Sequence, residues 1–164
     1  MDAVAKGYGL GAEFEACWQR DRDRLRRALA LSIGDAQLAS EAVDEAFTRA
    51  YARWSRVSRY QDPTGWIYRV AANWATSALR KRRLRPVRPV EHLDRATHDT
   101  VEDGALLQAI AALPAGQRTV VVLRFYLDWD VARIAAALDI APGTVKSRLS
   151  RALDRLRDEQ VVHP

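Results

Sequence analysis

The sequence predicts an all-α protein built as two small helical domains joined by a flexible linker. Apolar residues recur at helical spacing in both halves of the chain, and no stretch of any length alternates as a half-buried strand would. Between the halves lies a proline-containing, strongly charged segment in which neither pattern continues.

In the first half, Phe14, Cys17, Trp18, Leu25, Ala28 and Leu29 predict a helix over 13–33. Gly34-Asp35 then reads as a stop followed by a new cap. A second helix is expected from Ala36 to Trp54, with Leu38, Val43, Phe47, Ala50, Tyr51 and Trp54 on its apolar face. The polar stretch Ser55–Thr64 contains Asp62-Pro63, a turn signal. A third helix is expected from Gly65 to Arg83, with Ile67, Val70, Ala71, Trp74 and Ala78 inward. Arg85-Pro86-Val87-Arg88-Pro89 cannot continue it, and residues 91–103 turn acidic through Glu91, Asp94, Asp99, Glu102 and Asp103. The expected boundaries are 12–83, a tether over 84–104, and 105–160.

In the second half, Leu106, Leu107, Ile110 and Leu113 predict a short helix ended by Pro114. A second should run from Gln117 to Leu127. Val120-Val121-Val122 is β-branched, but the helical spacing around it outweighs strand propensity. Val131–Leu138, a break at Asp139-Ile140-Ala141, and a last helix from Pro142 to Glu159 follow.

Composition narrows the function classes. The chain has 164 residues, 48% of them apolar, so it can build a packed core. A net charge of +5 suits an anionic partner, nucleic acid or an acidic membrane surface, without choosing between them. No apolar run is long enough to cross a bilayer, and no helix joins a broad apolar face to a wholly basic one. Met1–Gly11 lacks the basic start and apolar run of a signal peptide. A cytoplasmic protein without membrane insertion is expected. Cys17 is the only cysteine, so no intramolecular disulfide and no cysteine zinc site can form. It is expected in the core. His92, His98 and His163 lie in the linker or the tail, and no phosphate loop or nucleophile motif is present. Neither an enzyme nor a cofactor or metal is expected.

The sharpest motif is VARIAAALDIAPGTVKSRLSRA at 131–152. A helix-turn-helix needs two short helices meeting steeply through a tight turn. Ala135 and Ala136 supply small residues for the close approach. Ile134, Leu138, Ile140, Val145 and Leu149 supply buried anchors. The turn favours a residue that tolerates positive φ, here Asp139 in place of glycine. Pro142 opens the last helix well. Thr144, Lys146, Ser147, Arg148, Ser150 and Arg151 lie at or near its outer surface, where a recognition helix meets the major groove. Without the scaffold helix and turn, the same arginines would read as an ordinary solvated face.

Residues 113–157, LPAGQRTVVVLRFYLDWDVARIAAALDIAPGTVKSRLSRALDRLR, resemble region 4 of the extracytoplasmic-function sigma factors of bacterial RNA polymerase. Residues 14–83 resemble region 2 of the same family, through the GD at 34–35, SEAVDEAFTRAYARW at 40–54 and GWIYRVAANWATSALRKRR at 65–83. The wording is nearest to actinobacterial members. The resemblance implies a subunit that directs core polymerase to promoters. Region 2 would dock on the clamp helices of the largest catalytic subunit through Glu41, Asp44, Glu45, Arg49 and Arg53. It would capture the −10 strand through Arg69, Asn73, Ser77, Arg80, Lys81, Arg82 and Arg83, with the Ser55–Thr64 loop as the wall of a pocket for a flipped base. Trp66 or Tyr60 could stack on a base, though both suit packing better. Region 4 would contact the polymerase flap region and read the −35 duplex through the six residues already named on the last helix. The resemblance also implies that an anti-sigma factor could hold both domains. The chain departs from the family at Asp44, where Gln precedes the Glu, and at Ser77 and Arg133, both usually acidic. The alternative is a stand-alone helix-turn-helix transcriptional regulator. Residues 113–157 alone would fit it, but the first 83 residues resemble no sensing or dimerising domain.

Overall fold

The computed structural model describes residues 2–84 and 101–162. All regular elements among them are helical: α1 (Asp2–Ile33), α2 (Ala36–Ala52), α3 (Trp54–Val57), α4 (Pro63–Arg83), α5 (Val101–Ala112), α6 (Ala115–Val121), a π-helical turn (Val122–Tyr126), α7 (Val131–Leu138) and α8 (Pro142–Val162). Of the expected tether, residues 85–100 lie outside the described residues. Residues 101–104 are helical and open α5, so the second group of helices starts earlier than expected.

Aspartates start three of these helices. Asp35, Asp62 and Asp130 each accept a hydrogen bond from the backbone N–H three residues on, at Leu38, Gly65 and Arg133. Gly34 turns the chain between α1 and α2 with φ +73°. At Gly65 a Cβ would collide with the Asp62 carboxylate, so glycine is what lets that cap close.

α1, α2 and α4 pack together around Leu25, Leu29, Leu38, Val43, Ile67 and Ala71, all buried. Complete burial of each leucine or isoleucine contributes about 1.5–3 kcal/mol. Cys17 is buried as expected, and burial first, then the Asp21 charge, pushes its thiol up to about 11. Two expectations for α2 are corrected. The helix stops at Ala52, and Trp54 enters the core from the separate turn α3. Tyr51 is 65% exposed, because its ring lies beside α1, edge-on to Phe14 at 5.0 Å, outside the core.

α4 is buried on more than the expected stripe. Thr64, Ile67, Tyr68, Ala71 and Ala75 are buried, and Val70, Trp74 and Ala78 flank them half-buried. The reason is tertiary: α2 covers one side of α4 and α7 another. Tyr68 meets Trp129 edge-on at 5.6 Å. α1 likewise touches α6 and the π-helical turn. Buried residues of both helical groups therefore form one continuous apolar cluster.

The helix expected from Gln117 to Leu127 is interrupted. Leu127 N–H bonds Val122 O at 3.3 Å, an i to i+5 closure, and Asp128 follows with φ 58°. The extra residue leaves Phe125 and Tyr126 exposed and returns Leu127 and Trp129 to the core.

A buried polar cluster ties α1 to α4. Asp21 accepts hydrogen bonds from Thr64 Oγ1 at 2.7 Å and Arg20 Nη2 at 2.7 Å. Burial pushes the Asp21 carboxyl up. The bonds from Arg20 and Thr64, with the Arg20 charge, outweigh that and hold it below the usual carboxylate range. A carboxyl lowered in the folded state stabilises the fold above its unfolded pKa, and that contribution is lost as pH falls through the folded value. Stability should therefore drop below about pH 4, and Asp21→Asn should remove that part of the drop in urea titrations run across pH. Thr64→Val leaves a buried carboxylate short of a donor and should cost about 1–3 kcal/mol. An unchanged urea midpoint would show that the cluster does not hold α4.

Candidate nucleic-acid interface

α7 and α8 meet through the turn that the sequence predicts. Asp139 takes the left-handed conformation, φ 56° and ψ 47°. Its N–H bonds Ala136 O at 3.4 Å, and Ile140 N–H bonds Ala135 O at 3.1 Å. These bonds satisfy the last carbonyls of α7 while the chain reverses. Ile134 and Val145 are fully buried, and Leu138, Ile140 and Leu149 are partly so. The small pair at the crossing is Ala135 and Ala137, not Ala135 and Ala136. Ala136 is exposed, because Ala137 lies nearly one turn from Ile134 and shares its face.

On α8, Lys146, Ser147, Ser150 and Arg151 are exposed, and Thr144 is half-buried. Ser147 Oγ donates to Thr144 O at 3.1 Å. Arg148 is half-buried, because its guanidinium lies back across α6. A Cβ at Gly116 would sit 3.2 Å from Arg148 Cζ. Arg155, which sequence reasoning did not single out, stands one turn beyond Arg151 and is also exposed. Its i, i+4 spacing from Arg151 was the available signal.

A second polar surface runs along α4. Asn73, Ser77, Arg80, Lys81, Arg82 and Arg83 are exposed. Arg82 and the half-buried Arg69 are engaged in ion pairs. Arg69 bonds Asp139 of the α7–α8 turn at 3.0 Å, and Arg82 bonds Asp35 at 2.9 Å. Tyr60 and Trp66 stand beside one another, centroids 6.0 Å apart, both half-buried. The stretch expected as a loop over Ser55–Thr64 is partly helical. α3 takes residues up to Val57, and Thr64 is buried in α4.

The third surface is α2. Glu41 accepts from Gln37, Asp44 pairs with Arg22 of α1 at 2.9 Å, and Glu45 pairs with Arg49 at 2.7 Å. Arg53 is exposed at its end. Beside them lies an open groove of about 480 Å³ lined by Phe14, Trp18, Arg22, Asp44, Phe47 and Tyr51. No cluster of potential metal ligands occurs among the described residues, and no described helix is long and apolar enough to cross a membrane.

A scaffold helix, a left-handed turn and a basic second helix define a helix-turn-helix DNA-binding protein. Comparison with known proteins extends this to the whole chain. Residues 103–156 match the family model for sigma-70 region 4. The RNA polymerase sigma-E factor of Streptomyces coelicolor is 35% identical over 154 residues, covering 91% of this chain and 86% of that one. The ECF RNA polymerase sigma factor SigL of Mycobacterium tuberculosis is 33% identical over 141 residues, covering 80% and 79%. Among solved structures, the sigma factor RpoE of Bartonella quintana, in complex with the anti-sigma factor NepR, has the same fold. Its TM-score is 0.75 at 22% identity, over 93% of this chain and 99% of that one. The chain belongs to the extracytoplasmic-function (ECF) RNA polymerase sigma factors. Its relatives match both helical groups, which a stand-alone regulator would not.

The left-handed turn is testable. Asp139→Val forces a β-branched side chain into positive φ and should cost about 1–3 kcal/mol. Asp139→Gly trades that strain against backbone entropy and should stay within about 1 kcal/mol of the parent. Equal urea midpoints for the two variants would show that the turn does not fix the helix pair.

Proposed function

We propose that this sigma factor reads the −35 duplex with region 4, residues 105–160, and captures the non-template −10 strand with region 2, residues 12–83. The observation that carries this most is the exposed row Lys146, Ser147, Ser150 and Arg151 behind the Asp139 turn. Thr144, with the Gly143 N–H beside it at the start of α8, suits a phosphate. Lys and Arg suit guanine edges or phosphates, and the serines suit either. Arg148 reaches DNA by leaving Gly116.

On α4, Asn73 offers both a donor and an acceptor to a base edge. Arg69 and Arg80 to Arg83 neutralise phosphates, adding affinity without sequence information. Extruding a base costs a few kcal/mol of stacking, which contacts around Asn73 and Ser77 offset. The −10 pocket wall comes from the segment between α3 and α4. The mixed-charge face of α2, with Glu41, Asp44, Glu45, Arg49 and Arg53, docks on the core polymerase clamp helices. Region 4 contacts the flap region. An anti-sigma factor is a further partner, as NepR is for RpoE. The chain acts in the cytoplasm and catalyses nothing itself.

Run-off transcription tests the proposal. Core polymerase plus this protein, on a pool of genomic promoter fragments, should give discrete transcripts that neither gives alone. Lys146→Ala should weaken binding to the selected −35 duplex and lower the slope of log K against log salt by about 1. Asn73→Ala should leave that affinity unchanged and cut transcripts by about tenfold or more. A protein that shifts duplex DNA but never yields a transcript would sink the proposal.

A further inference from the structure

We infer that Gly116 is a specificity-setting residue of the −35 reader: it seats the Arg148 guanidinium away from DNA, and so lowers what Arg148 adds to affinity and to base discrimination. The inference rests on the promoter reading proposed above. Arg148 starts from the inner flank of α8. It lies three residues after Val145 and four before Ala152, both fully buried. Gly116, on α6, likewise lies four residues before the fully buried Val120. A Cβ placed on Gly116 would lie 3.2 Å from Arg148 Cζ and 3.3 Å from both Nε and Nη1. Near-equal distances to three atoms of one plane put Gly116 over the flat face of the guanidinium. Only a residue without a side chain leaves that face its room.

Shape makes this seat, and charge does not. Among the described residues no carboxylate pairs with Arg148, whereas Arg69 and Arg82 of α4 are both held by aspartates. The start of α6 also presents backbone N–H groups, which disfavour a cation. Arg148 can therefore leave without breaking an ion pair, and a phosphate or a guanine edge offers the partner it lacks. Lys146 and Arg151 face no such choice, since both already stand in solvent.

A second resting place changes what one side chain contributes. Specificity is a difference between two binding free energies. Where Arg148 finds a good partner on DNA, the cost of leaving Gly116 is subtracted from the contact. Where it finds none, the side chain stays seated, and no unpaired charge is trapped against a wrong base. Both effects narrow the gap between right and wrong sequences. Only the unseated fraction of Arg148 is ready to bind, and the apparent strength of its contact falls with that fraction. Discrimination at the −35 duplex therefore rests on Lys146, Ser150 and Arg151 more than on Arg148, and filling the seat shifts it back.

The test measures binding of the full chain to an end-labelled duplex carrying the −35 element selected by run-off, at several salt concentrations. Gly116→Gln fills the seat with an uncharged residue of good helix propensity. Gly116→Ala adds only a Cβ, which the guanidinium clears by a few tenths of an ångström. Arg148→Ala is made in the parent and in both Gly116 backgrounds, and every variant should keep the parent's helical circular dichroism. In the parent, Arg148→Ala should weaken binding by less than about threefold. Gly116→Gln should tighten binding, and Arg148→Ala in its background should cost about tenfold, the worth of one good contact. Gly116→Ala should move both quantities the same way by less, which keeps the test standing if glutamine disturbs the packing of α6 on α8. A salt slope steeper by about 1 on filling the seat assigns the contact to a phosphate. A new tenfold loss at one substituted base pair assigns it to guanine. An equal cost of Arg148→Ala in all three backgrounds would overturn the seat. So would weaker binding by Gly116→Gln with less left for Arg148→Ala to remove, the result expected if the pair only braced α8 against α6. Lys146→Ala binding as tightly as the parent would instead overturn the −35 reading itself.

Discussion

The Asp62 carboxylate serves two helices. It accepts the Gly65 N–H that opens α4, and it receives the Arg133 guanidinium from α7. Both depend on Gly65, where any side chain would meet the carboxylate. The start of α4 and the docking of α7 are therefore set by one group. Trp129 and Tyr68 add the apolar contact beside it, and the left-handed Asp139 returns a second carboxylate to Arg69. The orientation of α8 follows from α7 through the fixed turn, so the placement of the recognition helix traces back to the same carboxylate.

The helices themselves were legible because their signals are local. Caps at Asp35, Asp62 and Asp130, Pro63 at the first turn of α4 and Pro142 at that of α8 act within a few residues of the chain. So does the positive φ of Asp139. What escaped the sequence was non-local. The second buried stripe of α4 exists only because α7 covers it, and Tyr68 and Ala75 look like flanking residues until Trp129 and α7 are in place. The π-helical turn at Val122–Tyr126 hides for a related reason. Its extra residue turns Trp129 inward, and the β-branched run before it carries no signal for an i to i+5 bond.

The candidate interface shows the same division. The exposed face of α8 follows from helical spacing, so Lys146, Ser147, Ser150 and Arg151 stand where the sequence puts them. Arg148 does not, because a glycine at position 116, thirty-two residues earlier, opens room for its guanidinium. Nor could spacing show that Arg69 and Arg82 are held in ion pairs by Asp139 and Asp35. Arg133 was legible only as a departure from the family's acidic residue. Its partner lies 71 residues away in the chain.

The seam between the two helical groups combines an apolar contact with charge pairs. A wholly apolar seam of this extent would hold the halves together whatever the ionic surroundings. Here the apolar part includes Tyr68 and Trp129, and charge pairs at partly or largely exposed positions complete it. Those pairs are weak alone and weaken further with salt. Phosphates are strong acceptors for the same arginines, Arg69 and Arg133 among them. A polyanion that approaches the seam thus competes with Asp62 and Asp139 for the groups that keep the halves together. Closing through arginine–aspartate pairs therefore leaves the seam sensitive to its ionic surroundings, as a wholly apolar seam would not be.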